Sequence, residues 1–231
     1  MTEAVNVRSL AVTDVRDAAL LHCRVLDMEF LSRFGPSFMR AYYLAWIGAP
    51  GEIALAAIDG DGVILGVLLG ATDPADHVRA MVRKSGVSLA VRLAIAALVR
   101  PRLARDLIMT RGRRYARGVG RVLISRVSPR TASGPQKSEV NVGEITHVLV
   151  RPEDQGRGIG RDLLDVAVRR ARATGVDELV LVTPPDLPAQ NFYGRLGWKS
   201  EGTMRSRSGE SFLRFRLVIG DGGPKGSESP I

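Results

Sequence analysis

In the stretch RDLLDVAVRRARATG, Leu163/Leu164, Ala167/Val168 and Ala171 recur every three or four positions, with charge on the remaining positions. That spacing predicts a helix over 161–175 with one buried stripe, ended by Gly175. The run before it, EVNVGEITHVLV (139–150), is a predicted strand. The run after it, ELVLV (178–182), is apolar throughout and is expected to be a strand buried on both faces. Strand, loop, helix and strand then form one unit, which should cross over right-handed.

Similar reading places a helix over 13–30, capped by Thr13 or Asp14, with Val15, Ala18/Ala19 and Val25/Leu26 at helical spacing. A second helix is predicted over 36–46, with Pro36 in its first turn. EIALAAI (52–58) and VILGVLLG (63–70) are joined by Asp59-Gly60-Asp61-Gly62, a hairpin signal. Residues 75–118 read as helical, 120–127 as a strand, and 128–139 as a polar, turn-rich loop. A short helix over 187–197 ends at Gly197, and a last hairpin turns at Ser208-Gly209-Glu210. In its second strand Leu213, Phe215, Leu217 and Ile219 alternate with Arg214 and Arg216. The tail 220–231 is expected to be disordered. No internal repeat is evident.

Composition narrows the class. A chain of 231 residues, 45% hydrophobic and 25% charged, suits one domain with an elaboration. The single cysteine, Cys23, excludes an intramolecular disulfide and a cysteine-rich metal site, and it is expected to be buried in its helix. The first residues carry no basic-then-apolar signal pattern. The longest apolar stretch, 87–99, is 13 residues broken by Arg92, too short to span a bilayer, so a cytoplasmic location is expected. The net charge of +9 is unevenly placed: residues 75–137 hold 15 Lys/Arg against Asp76 and Asp106, or +13, and the rest of the chain carries −4. That field suits either an anionic partner or a solvated helical face.

Chemistry concentrates in VRPEDQGRGIGRDLL (150–164), where Gly156, Gly158 and Gly160 open a predicted helix. Glycine tolerates positive φ and lets a ligand approach the main chain. Successive N–H groups in such a turn, and the unpaired ones at a helix start, make an anion site, usually for phosphate. A Walker loop needs Gly-Lys-Ser/Thr, and no lysine lies here. A dinucleotide loop needs a third glycine at 161, where Arg161 stands.

The surrounding residues resemble the GCN5-related N-acetyltransferase (GNAT) family, whose cofactor loop is Gln/Arg-x-x-Gly-x-Gly/Ala. Gln155, Gly158 and Gly160 match it in register, after a strand ending VLVRP (148–152) and before FYGRLGW (192–198). The resemblance is specific over 140–200, fits 7–72 in element order alone, and fails over 73–138. It implies an α/β fold: a GNAT-type mixed, twisted β-sheet with flanking helices and a helical insertion between the third and fourth core strands. Residues 1–219 would form one acetyltransferase domain, with 73–138 as the basic insertion packed by the acceptor cleft.

The resemblance further implies acetyl-coenzyme A as co-substrate. Its pyrophosphate would lie on main-chain N–H groups of Gln155, Gly156, Arg157, Gly158, Ile159, Gly160 and Arg161, with charge added by Arg157 and Arg161. The pantetheine arm would lie between strands 144–150 and 178–183, meeting main-chain groups of Val148, Leu149 and Val150. Asp186 stands where many members carry an asparagine that contacts the arm, and Asn191 is the other amide at hand. Glu144, 11 positions before Gln155, matches the family's catalytic glutamate, and Tyr193 matches the tyrosine that protonates the departing thiolate. On simple alternation Glu144 shares a face with Thr146 and Val148, and His147 points the other way as a packed histidine. Asp27 and Glu29 lie where acceptors often bind.

The activity implied is direct transfer of an acetyl group to a primary amine, on a small molecule or a protein, by a monomer or homodimer. Alternatives are nucleic-acid or ribosome binding through the basic insertion, with Tyr115 the sole aromatic among its arginines, or a catalytically silent regulator that binds the cofactor. No metal ligand set is expected.

Overall fold

A computed structural model describes residues 5–27, 29, 31–99, 140–185, 189–205 and 211–220. The expected helices beyond residue 99, the strand at 120–127, the loop at 128–139, Asp186, the turn at Ser208–Glu210 and the tail from 221 lie outside the described residues.

The chain runs β1 (Asn6–Ser9), α1 (Val15–Val25), α2 (Pro36–Trp46), β2 (Glu52–Ile58), β3 (Ile64–Ala71), α3 (Pro74–Val99), β4 (Val142–Val150), α4 (Ile159–Ala173), β5 (Glu178–Thr183), α5 (Ala189–Arg195), β6 (Lys199–Arg205) and β7 (Ser211–Val218). The seven strands form one sheet in the order β1-β2-β3-β4-β5-β7-β6. Only β4 and β5 are parallel, and α4 is the crossover between them.

Four elements depart from expectation. The edge strand β1 is four residues, NVRS, with no alternation long enough to read. The first helix stops at Val25, because Leu26 leaves helical geometry (φ −117°, ψ 51°) and turns the chain back toward α1. The fourth strand begins at Val142, and Asn141 before it bonds to Gly175 O (3.1 Å) and to the Asp177 carboxylate (2.9 Å). The fifth strand is covered on one face only: Leu179, Leu181 and Thr183 are buried while Val182 is 45% exposed.

Packing explains that last difference. One face of the sheet is covered by α1, α2 and α3, and Ala54, Ala56, Val67, Leu69 and Leu149 point into that core. The other face is covered by α4, whose Ile159, Leu163, Leu164, Ala167 and Ala171 meet Leu55, Leu65, Leu68, Ile145 and Leu179. Only β3 lies fully under both layers, so each of its eight residues is buried. Each of the buried leucines in α4 contributes about 1.5–3 kcal/mol by leaving water.

Between β3 and β4 the register slips. Leu69 pairs with His147 and Gly70 with Ile145, which leaves Thr146 unopposed as a β-bulge. Glycine suits position 70, where a Cβ would stand 2.7 Å from Glu144 O.

Candidate functional site

The glycine loop is a built corner. Gly156 and Gly158 have φ of +81° and +88°, a conformation costly for other residues, and no atom lies within 4 Å of a Cβ placed on either. The space before the loop is therefore open. Gly158 is the N-cap of α4, and the first helical bond of that turn is Asp162 N–H to Gly158 O at 3.0 Å. The N–H groups of Ile159, Gly160 and Arg161 precede it and have no partner inside the helix. Gly160 packs against α5, where a Cβ would stand in ordinary contact, 3.4 Å, with the Phe192 ring.

Asp154 braces this corner. It is buried and accepts a 2.6 Å bond from Arg151 Nε and another from Arg157. Those bonds, Arg151 foremost, hold its carboxyl below the usual aspartate range. Arg157 is thus turned toward Asp154, whereas Arg161 is exposed and pairs loosely with Asp165 at 3.7 Å. The Gln155 amide returns to Val150 O at 3.4 Å. The spacing of Arg151, Asp154 and Arg157, three apart, was the readable signal for this brace.

Beside the corner the sheet opens. Pairing of β4 with β5 runs from Val142↔Glu178 to Ile145↔Leu181 and goes no further. Beyond it β4 stays paired with β3 to Val150, and β5 stays paired with β7 to Thr183. Main-chain groups of β4 from Thr146 to Val150 thus have no strand on their β5 side among the described residues, an edge an extended ligand can bond like an added strand.

The bulge corrects the expected faces. Ile145 points to the α4 core, as do Val148 and Val150, whereas His147 contacts rings of α1 and α2 and Leu149 lies in that core. Parity therefore reverses at Thr146. Glu144 and His147 share the α1/α2 side, and Val148 lies opposite, because one extra residue in a strand turns every later side chain over.

On that side Glu144 is half-buried. Burial raises its carboxyl pKa, with Arg214 and His147 pulling the other way. Tyr193 on α5 is buried against Phe215 and Trp198, and burial lifts its phenol to about 12. Asn191 is exposed on the same short helix, and Asp27 is exposed after α1. The uncovered stretch of sheet carries Arg214 bonded to Glu201 at 2.9 Å, and Arg216 bonded to Glu201 at 2.5 Å and to Glu178.

Glu29 sits between two histidines. Its carboxylate meets His22 Nε2 at 2.6 Å and His147 Nε2 at 3.0 Å, and His22 Nδ1 meets the Tyr43 hydroxyl at 3.0 Å. Burial alone would raise the Glu29 pKa, but the bonds from His147 and His22 outweigh it and hold the carboxyl far below the glutamate range. Burial lowers the pKa of His22. The donor atoms of His22, Glu29 and His147 lie within 4.8 Å of one another. No local sequence signal marks this cluster, whose members come from α1, the turn after it and a strand 118 residues further on.

Comparison with known proteins comes to the same corner. The model of the acetyltransferase (GNAT) family matches residues 115–198. Among solved structures, the ribosomal-protein-S18-alanine N-acetyltransferase from Escherichia coli is similar at TM-score 0.55 and 13% identity, covering 96% of this chain and 98% of that one. A GCN5-related N-acetyltransferase from Kribbella flavida is similar at TM-score 0.54 and 12% identity, covering 94% and 98%. The structure of yncA from Salmonella typhimurium with its cofactor acetyl-CoA is similar at TM-score 0.52 and 14% identity, covering 97% and 99%. At such identities the likeness is one of fold. A search of curated proteins finds no match.

Proposed function

Because residues 115–198 match the model of the GNAT family of acetyltransferases, we propose that this chain moves the acetyl group of acetyl-coenzyme A directly to a primary amine, with both substrates bound at once. The observation that carries the reading is the corner at Gly158. Unpaired helix N–H groups, two glycines in left-handed conformation and open space in front of them adjoin the unpaired edge of β4. A diphosphate fits such a corner, and an extended thioester arm fits the edge beside it.

In this reading the N–H groups of Ile159, Gly160 and Arg161 hold the diphosphate, with Gln155, Gly156 and Arg157 shaping the loop. Main-chain groups of Val148, Leu149 and Val150 hold the arm and polarise the thioester carbonyl. Glu144 takes a proton from the acceptor ammonium, whose ordinary pKa near about 10.4 keeps it charged at neutral pH. Tyr193, protonated at any physiological pH, gives its proton to the leaving thiolate. Asp186 and Asn191 are assigned to the arm. Asp27 is an exposed carboxylate able to draw a cationic acceptor in, while Glu29 is already engaged by two imidazoles.

Calorimetry of acetyl-coenzyme A with the wild type and Gly158→Glu tests the reading. Binding should be lost in the variant, where a side chain would need the left-handed conformation and its carboxylate would occupy the anion corner. Undiminished binding would remove the corner from the mechanism. Thiol release should then be followed with an α-amino peptide, a polyamine and an amino sugar as acceptors.

A further inference from the structure

An ammonium acceptor loses two protons on becoming an amide: one before attack and one from the tetrahedral intermediate. N–C forms first, C–S breaks as the tetrahedral intermediate collapses, and the thiolate takes one proton from Tyr193. A single carboxylate holds one proton at a time, so a second acceptor beside it lets both protons leave without waiting for Tyr193 to give up its own. The hydrogen-bond pattern around Glu29 identifies one.

A carboxylate only accepts, so both imidazole Nε2 atoms facing Glu29 carry hydrogen. The other tautomer would set a nitrogen lone pair against a carboxylate oxygen 3.0 Å away. In His22 the Nδ1 lone pair then accepts from Tyr43 OH, which burial keeps protonated. In His147 the same constraint leaves Nδ1 as a bare lone pair. That atom is buried and has no hydrogen-bond partner among the described residues. Buried polar atoms are rarely left so; among the described residues Ser32 Oγ and His77 Nε2 share the condition, and of the three only His147 Nδ1 stands beside the opening of the sheet.

We propose that His147 is a second proton acceptor of the transfer reaction, held as the Nε2–H tautomer by a Tyr43–His22–Glu29 relay. The proposal rests on the acetyl-transfer reading. His147 stands next to the Thr146 bulge, where β4 parts from β5, on the face that Glu144 shares. The ammonium gives one proton to Glu144 and one to His147 Nδ1, directly or across one water molecule. The imidazolium so formed is stabilised by Glu29, as an aspartate stabilises histidine in hydrolase triads. One of the two protons returns to Tyr193 and the other leaves to solvent. Among the described residues, the charged and titratable groups seen against His147 or Glu144 are His22 from α1, Glu29 from the following turn, Tyr42 from α2 and Arg214 from β7, with Tyr43 behind His22. Glu29 is a positioning residue here, and so are His22 and Tyr43.

The three donor atoms also invite a divalent ion. The pairing favours hydrogen bonds, because each carboxylate oxygen already receives one imidazole N–H and the shorter contact is 2.6 Å, tight for two ligands of one ion.

The chain has three histidines, so imidazole 15N spectra of the whole protein can be assigned with His147→Gln. At neutral pH His147 should show an unprotonated Nδ1 and a protonated Nε2. Glu29→Gln should weaken that preference, and Glu29→Asp should restore part of it. On whichever acceptor turns over fastest, His147→Gln should lower kcat by about 10²-fold, leave KM for acetyl-coenzyme A nearly unchanged, and remove one group from the pH profile. Its amide can still donate to Glu29, and circular dichroism of the variant should match that of the wild type. An Nδ1–H tautomer, an imidazolium at pH 7, or wild-type turnover in the variant across pH would overturn the proposal. So would stoichiometric Zn²⁺ binding that Glu29→Gln abolishes. Should the wild type fail to bind acetyl-coenzyme A, the acetyl-transfer reading fails by itself, and the tautomer remains decided by the spectra.

Discussion

Tyr193 shows how one residue's surroundings define its chemistry. Its ring lies among Phe192, Trp198 and Phe215, and burial lifts the phenol to about 12, so it keeps its proton wherever the enzyme works. Tyr193→Phe should lower kcat by about 10²-fold or more with little change in acetyl-coenzyme A affinity, compared by steady-state kinetics and calorimetry. An unchanged kcat would end the acid role. Glu144 is the opposite case. Burial raises its pKa, so as a base it becomes competent as pH rises through a value above the ordinary 4.5. The acidic limb of kcat/KM should sit correspondingly high and move in Glu144→Gln. Glu144 was singled out in the chain by its offset to Gln155 and Tyr193 by its place in FYGRLG, and the catalytic role of each is a proposal. Asp154, which orients the loop through Arg151 and Arg157, was not singled out, although its spacing was in view.

Among elements, β4 decides most. Its apolar alternation was readable, and so was its place before the glycine loop. The bulge at Thr146 was not, because an unopposed residue is a property of two strands in register and leaves no mark in either alone. Deleting Thr146 should let β4 pair regularly with its faces unchanged, since Ile145 already opposes Gly70 and His147 already opposes Leu69. Removing the extra residue should straighten the strand where it parts from β5 and narrow the opening there. Calorimetry should then show weaker acetyl-coenzyme A binding, with Tm little changed. Wild-type affinity would deny the bulge its role. For β5 the apolar run predicted a strand covered twice, and the structure covers it once. Hydrophobic residues are not all inside, and a valine at a sheet surface resembles a buried one in sequence.

For the whole molecule, the buried cluster ties α1, α2 and β4 together and links stability to pH. His22 and Glu29 both have folded pKa values below their ordinary 6.5 and 4.5. A depressed pKa means that the unfolded chain binds protons more readily. The stability each group contributes is complete above its ordinary value and is lost as pH falls below it. Tm should therefore decline below about pH 6.5 as the unfolded chain protonates His22, and decline further below about 4.5 through Glu29. Each kcal/mol lost lowers Tm by about 2–4 °C for a chain this size. His22→Gln should flatten the upper limb, as thermal scans between pH 7 and 5 would reveal. An unaltered slope would mean that His22 is not the group responsible.

The amino-acid sequence by itself determined what depends on neighbours along the chain. It specified the stripe of α4 from its 3.6-residue spacing, the left-handed turn from Gly156 and Gly158, and the strands from their alternation. Local steric preference and periodicity are written residue by residue, so the strand–loop–helix–strand unit and its glycine corner were readable. Tertiary structure decided what depends on pairing across distance: the register that bulges Thr146 outward, the face Glu144 therefore shares with His147, and the meeting of His22, Glu29 and His147 over a separation of 118 residues. Each depends on hydrogen-bonding and burial between segments, and a contact of that kind leaves no periodic trace in either partner.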